Sequence, residues 1–123
     1  MIHDLDLGNL LQLAERIPGD PQVDDYGALV CAAKRPSAAV GDIECYQTLT
    51  GKAASLLHSL ALLQPLEHSN NRFALIAALS WLEANGVRMK PDPKQAEAVL
   101  SAVRPGMAGV RAVARGLREW ADG

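Results

Sequence analysis

Gln64-Pro65-Leu66-Glu67-His68-Ser69-Asn70-Asn71-Arg72 lies between two apolar segments of helical spacing. Its polar residues are suited to hold an anion. Ser69 or Asn70 can cap the helix that follows, and successive backbone N–H groups at such a start form a concavity for negative charge. Asn71 belongs to that helix start, and Arg72, in its first turn, adds a planar set of donors matched to phosphate oxygens. Ser69, Asn70, Asn71 and Arg72 thus outline a phosphate cradle. By residue type alone, the same stretch also reads as a polar turn with an exposed arginine.

On the N-terminal side of this stretch, Leu49 to Leu63 is apolar on nearly every face, which predicts a central, buried helix. On the other side, a second central helix is predicted from about Asn70 to Ala84, anchored by Trp81 and closed by Asn85-Gly86. Further upstream, Leu5, Leu10, Leu13, Ala14 and Ile17 mark a helix over 5–17 that stops at Pro18-Gly19-Asp20-Pro21. Tyr26 to Lys34 reads as a short helix closed by Arg35-Pro36. Residues 38–46 have no helical pattern, and Val40, Ile43 and Tyr46 predict a short extended flap or an irregular loop on the active-site side. Downstream, Asp92 and Pro93 start a helix that ends before Pro105-Gly106, and a last helix over 108–121 turns its arginines to water. The expectation is an all-α single domain over 1–123 with five to seven helices, the two central ones joined by the 64–72 loop.

Composition agrees. Apolar residues make up 49% of the 123 positions and aromatics only 4%, so the core is built of Leu, Ala and Val, as in packed helices. A formal charge of -2 gives no strong pull toward nucleic acid, and Arg104, Arg111, Arg115 and Arg118 read as a solvated helix face. The start of the chain lacks a signal-peptide pattern and no apolar run is long enough for a membrane span, so a soluble cytoplasmic protein is expected. Cys31 and Cys45 read as buried free thiols, and the histidines and cysteines have no zinc spacing, so no metal is assigned.

The loop resembles the Fic/Doc motif H-x-F-x-D/E-G/A-N-G/K-R, which aligns without gaps onto Gln64, Leu66, His68, Ser69, Asn70, Asn71 and Arg72. Only the Asn and the Arg are retained. Asp25 to Pro36 resembles the early helix of Doc-type proteins, often R-D-x-G-L-L-E-S-A-x-x-R-P. Lys52 to Leu60 resembles the helix before the motif, and Ala74 to Gly86 the helix after it, ending in L-x-x-N-G. Together these cover about residues 25–90. The resemblance implies a compact helical bundle that binds a nucleotide triphosphate with magnesium and transfers AMP or a phosphoryl group to a protein hydroxyl. It also implies an antitoxin-like partner.

In that chemistry the motif histidine takes the hydroxyl proton and the acidic residue holds magnesium. Gln64 stands at the first position, where a carboxamide can orient a group but has no usable pKa. His68 stands at the second, and imidazole is a poor magnesium ligand. Two readings follow. In one, the chain is a non-catalytic module that binds an anion or small-molecule ligand and serves a regulatory role in a toxin–antitoxin pair. In the other, it is an enzyme in which His68 or His58 supplies the proton transfer that Gln64 cannot, on a small molecule or nucleotide.

Overall fold

In the computed structural model, which describes residues 1–122, the helix spanning Leu49–Leu63 (α3) is the hub about which the other elements are placed. It is buried continuously from Lys52 to Ala61. Residues that are apolar on all faces cannot satisfy one partner alone, so α3 is enclosed by α2 (Tyr26–Lys34), α4 (Asn70–Ala84) and α6 (Met107–Asp122). The helix α1 (Leu7–Glu15) packs on α2 and α4, and α5 (Pro93–Ser101) lies against α6. The result is the mostly all-α bundle that the residue pattern leads one to expect.

The helix ends follow from local chemistry. Asp6 and Asn9 form a reciprocal capping box, so α1 begins two residues later than its apolar stripe suggests. Asp25 caps α2 through Ala28, Thr48 caps α3 through Gly51, and Asp92 caps α5 through Lys94 and Gln95. Asn85 closes α4 and also pairs its carboxamide with both backbone groups of His3, fastening the N-terminal segment to the bundle. Trp81 is fully buried and donates from Nε1 to Asp4, which also accepts from Ser37.

After α2 the chain makes a single 3-10 turn at Arg35–Ser37, where the imino ring of Pro36 prevents the α-helix from continuing. The flap expected at 38–46 is a hairpin of β1 (Ala39–Val40) and β2 (Ile43–Glu44), paired antiparallel with Ala39 opposite Glu44 and Val40 opposite Ile43. Its base is fastened to the first turn of α3, where buried Lys52 donates to the Tyr46 and Pro36 carbonyls at 2.7 and 3.3 Å and lies 3.4 Å from Glu44.

One sequence expectation fails here. Cys31 and Cys45 are exposed, because α2 turns Ala28, Leu29 and Ala32 inward and Cys45 follows the solvent-facing hairpin. At the end of the last helix, Trp120 packs inward and donates to the Lys90 carbonyl, while Ala121 is exposed. Among the described residues no helix is long and apolar enough to cross a membrane.

Candidate functional site

The loop between α3 and α4 begins and ends on residues in the left-handed backbone region, Gln64 at φ 49 and Ser69 at φ 63. Non-glycine residues adopt that conformation only when their surroundings impose it. The imposing structure is the segment 20–25. Val23 and Leu66 form an isolated antiparallel bridge, and Asp24 and Asp25 both donate to the Pro65 carbonyl, at 2.8 and 3.1 Å. Glu67 joins twice more: its amide donates to the Gln22 carbonyl at 2.9 Å and its carboxylate accepts from the Gln22 amide at 2.7 Å. Leu66 is buried as the loop's core anchor.

Asn70 secures the loop from the other side. Its Oδ1 accepts from the Leu66 amide at 2.9 Å and its Nδ2 donates to the Leu66 carbonyl at 3.0 Å. The side chain therefore closes the turn instead of capping α4, and the expected cap is not formed by Ser69 either. Ser69 occupies the N-cap position, but its Oγ lies 2.8 Å from His68 Nδ1 and makes no bond to the helix amides. Left-handed backbone at this position turns the hydroxyl away from the first turn.

The site residues predicted within the loop meet. Gln64, His68, Ser69, Asn70, Asn71 and Arg72 surround one shallow pocket of about 330 Å³, with Glu67 at its edge. Gln64, His68, Asn71 and Arg72 are exposed, and Arg72 has no hydrogen-bond or ion-pair partner among the described residues. The His68 ring lies over Gly19, where a Cβ would come within 3.0 Å of Cε1; with φ at +88, this turn is open to glycine on two counts. The hairpin does not border this pocket. It is anchored at Lys52, about 18 Å from Gln64 along the helix rise.

His58, the other histidine considered for proton transfer, is elsewhere. It is buried in mid-α3, with Nδ1 2.8 Å from Arg35 Nη1 and Nε2 2.8 Å from the Arg104 carbonyl. Arg35 can only donate and a carbonyl can only accept, so the ring is neutral with its proton on Nε2. Burial pushes its pKa below the ordinary histidine value, opposed by the Arg104 carbonyl and reinforced by the Arg35 charge. It is a satisfied core histidine. The sequence reading passed over Arg35 as the end of α2; its guanidinium also bonds Tyr46 and Ser59 and stacks 5.5 Å from the Tyr46 ring. It also passed over Gln22 to Asp25, because pairing across more than forty residues leaves no local signal.

The donors around the pocket do not fit magnesium. They are carboxamides, a hydroxyl, an imidazole and one carboxylate, Glu67, already bonded to the Gln22 amide. What the arrangement offers instead is the start of a 15-residue helix with no side-chain cap, next to the Arg72 guanidinium, which is unpaired among the described residues.

The chain is similar to the toxin Doc of Mycolicibacterium smegmatis, with 43% identity over 74 residues, 60% of this chain and 57% of that protein. It thus spans a little over half the length of this curated relative. No family profile and no solved structure matches the chain.

Proposed function

We propose that this chain, whose similarity to a Doc toxin supports a Doc-type assignment within the Fic/Doc family, is a divergent member that has lost nucleotidyl and phosphoryl transfer and keeps an anion-binding pocket. The observation that carries the proposal is the uncapped start of α4 beside Arg72. Oriented amides and a guanidinium attract phosphate or carboxylate oxygens without any titrating base. Transfer is different, because it needs a group that takes the hydroxyl proton, help worth about 10²–10⁴-fold. Gln64 cannot supply it, and His68 stands where the metal-holding carboxylate would be. The protein then acts by binding, in the cytoplasm, as a regulator in a toxin–antitoxin pair whose antitoxin-like protein is its partner.

Calorimetric titration with inorganic phosphate, ATP and AMP tests the pocket: binding is expected for the wild type and at least about tenfold weaker for Arg72→Ala, the effect of losing one charge-assisted contact. Equal affinities would remove the cradle. Incubation with labelled ATP and magnesium should leave candidate protein targets unlabelled. The Gln64→His, His68→Asp double variant is the fair attempt at restoration, since Gln64→His alone still lacks the metal carboxylate. Robust labelling by the wild type would overturn the loss of transfer, and its abolition in His68→Ala with the fold intact would assign the proton transfer to His68, tied to Ser69 and placed over Gly19.

A further inference from the structure

On the side of the bundle where α6 crosses the start of α3, a second groove of about 410 Å³ opens to solvent. Its floor is apolar, formed by Met107, Val110 and Ala114. Along its α6 wall stand Arg111, Arg115 and Arg118, all exposed, and none has a hydrogen bond or ion pair among the described residues. Their spacing of i, i+4 and i+7 puts them on one helix face over about 10 Å. The opposite wall is the stretch from Tyr46 to Thr48 with Gly51, the positive end of α3. Three free cations and a helix start thus face one groove in a chain whose formal charge is -2.

We infer that this groove is a docking site for an acidic amphipathic segment of another protein. An incoming helix with carboxylates at i, i+4 and i+7 matches the three guanidinium groups in spacing and sign, and apolar side chains beside them meet Met107, Val110 and Ala114. The floor would be without purpose for a polyanion held by its phosphates alone. Nor does the groove present a free aromatic platform for bases: the Tyr46 hydroxyl accepts from Arg35 Nε at 2.8 Å, and the Arg35 guanidinium covers one face of its ring. The net negative charge of the chain also opposes a long polyanion.

The inference does not rest on the α3–α4 loop. The test is fluorescence anisotropy on the full chain, with a short fluorescein-labelled amphipathic peptide carrying glutamates at i, i+4 and i+7 beside leucines. Saturable binding that weakens with salt is expected. The triple variant Arg111→Gln, Arg115→Gln, Arg118→Gln, checked for helicity by circular dichroism, should bind at least about tenfold more weakly. Met107→Gln should weaken binding while leaving the salt dependence unchanged, and Arg72→Ala should alter neither. Absence of binding, equal binding by the triple variant, equal binding of a glutamine-substituted peptide, or tighter arginine-dependent binding of single-stranded RNA would each overturn the inference.

Discussion

His58 shows how one buried side chain ties distant parts of the chain together. It receives a hydrogen bond from Arg35, at the end of α2, and gives one to the Arg104 carbonyl between α5 and α6. Both bonds require the neutral ring. Its pKa is lowered in the folded protein by burial, from an ordinary value of 6.5, so on acidification the unfolded chain takes up this proton before the folded one does. Its contribution is therefore complete above about pH 6.5 and is lost as the pH falls through that value toward the lower folded pKa. Thermal or denaturant unfolding on either side of this window should show wild type losing more stability on acidification than His58→Gln. The excess has a ceiling of about 1.4 kcal/mol per pH unit, the linkage of one proton. At neutral pH the variant should be the less stable of the two. Parallel losses would contradict a neutral buried ring. At the same scale, Asn70, which matches the motif that the loop resembles, has a structural role the residue type did not disclose: its carboxamide holds both backbone groups of Leu66.

At the scale of elements, the joint between α5 and α6 depends on a close approach. The first turn of α6 passes so near the Arg104 carbonyl that a Cβ on Gly109 would lie 1.8 Å from its oxygen. That oxygen cannot simply move away, because it accepts the His58 proton. Gly109→Ala should therefore destabilise the protein by about 1–3 kcal/mol or more, as overpacking against backbone does, although alanine is the better helix former. Chemical denaturation measures this, and an unchanged or increased midpoint would show that the joint relaxes freely. The α3–α4 loop is the converse case. Its left-handed residues, Gln64 and Ser69, are held by Asn70 from within and by residues 22–25 from outside, so the pocket is shaped by a segment some forty residues away in sequence.

For the whole molecule, the enclosure of α3 by α2, α4 and α6 implies that the bundle loses its packing together. Leu60 is fully buried in the last turn of α3, and Leu60→Ala should cost about 2–5 kcal/mol and lower the melting temperature in a single transition. Two separate calorimetric transitions would show that α5 and α6 unfold on their own. Much of this architecture is legible in the residues, since apolar periodicity, proline stops and capping aspartates act within a few positions of one another. Leu49 to Leu63 reads as buried on all faces, and Asp92-Pro93 reads as a helix start, for that reason. The site residues Gln64 to Arg72 are legible as a group because they are contiguous. Tertiary structure alone decides what each of them does. Ser69 turns to His68, Glu67 pairs with Gln22, the flap stands at the far end of α3, and Arg35 and His58 become one hydrogen-bonded pair. These outcomes depend on which polar groups meet across long stretches of chain, and a donor's partner is set by where the packed helices place it, not by its neighbours in sequence.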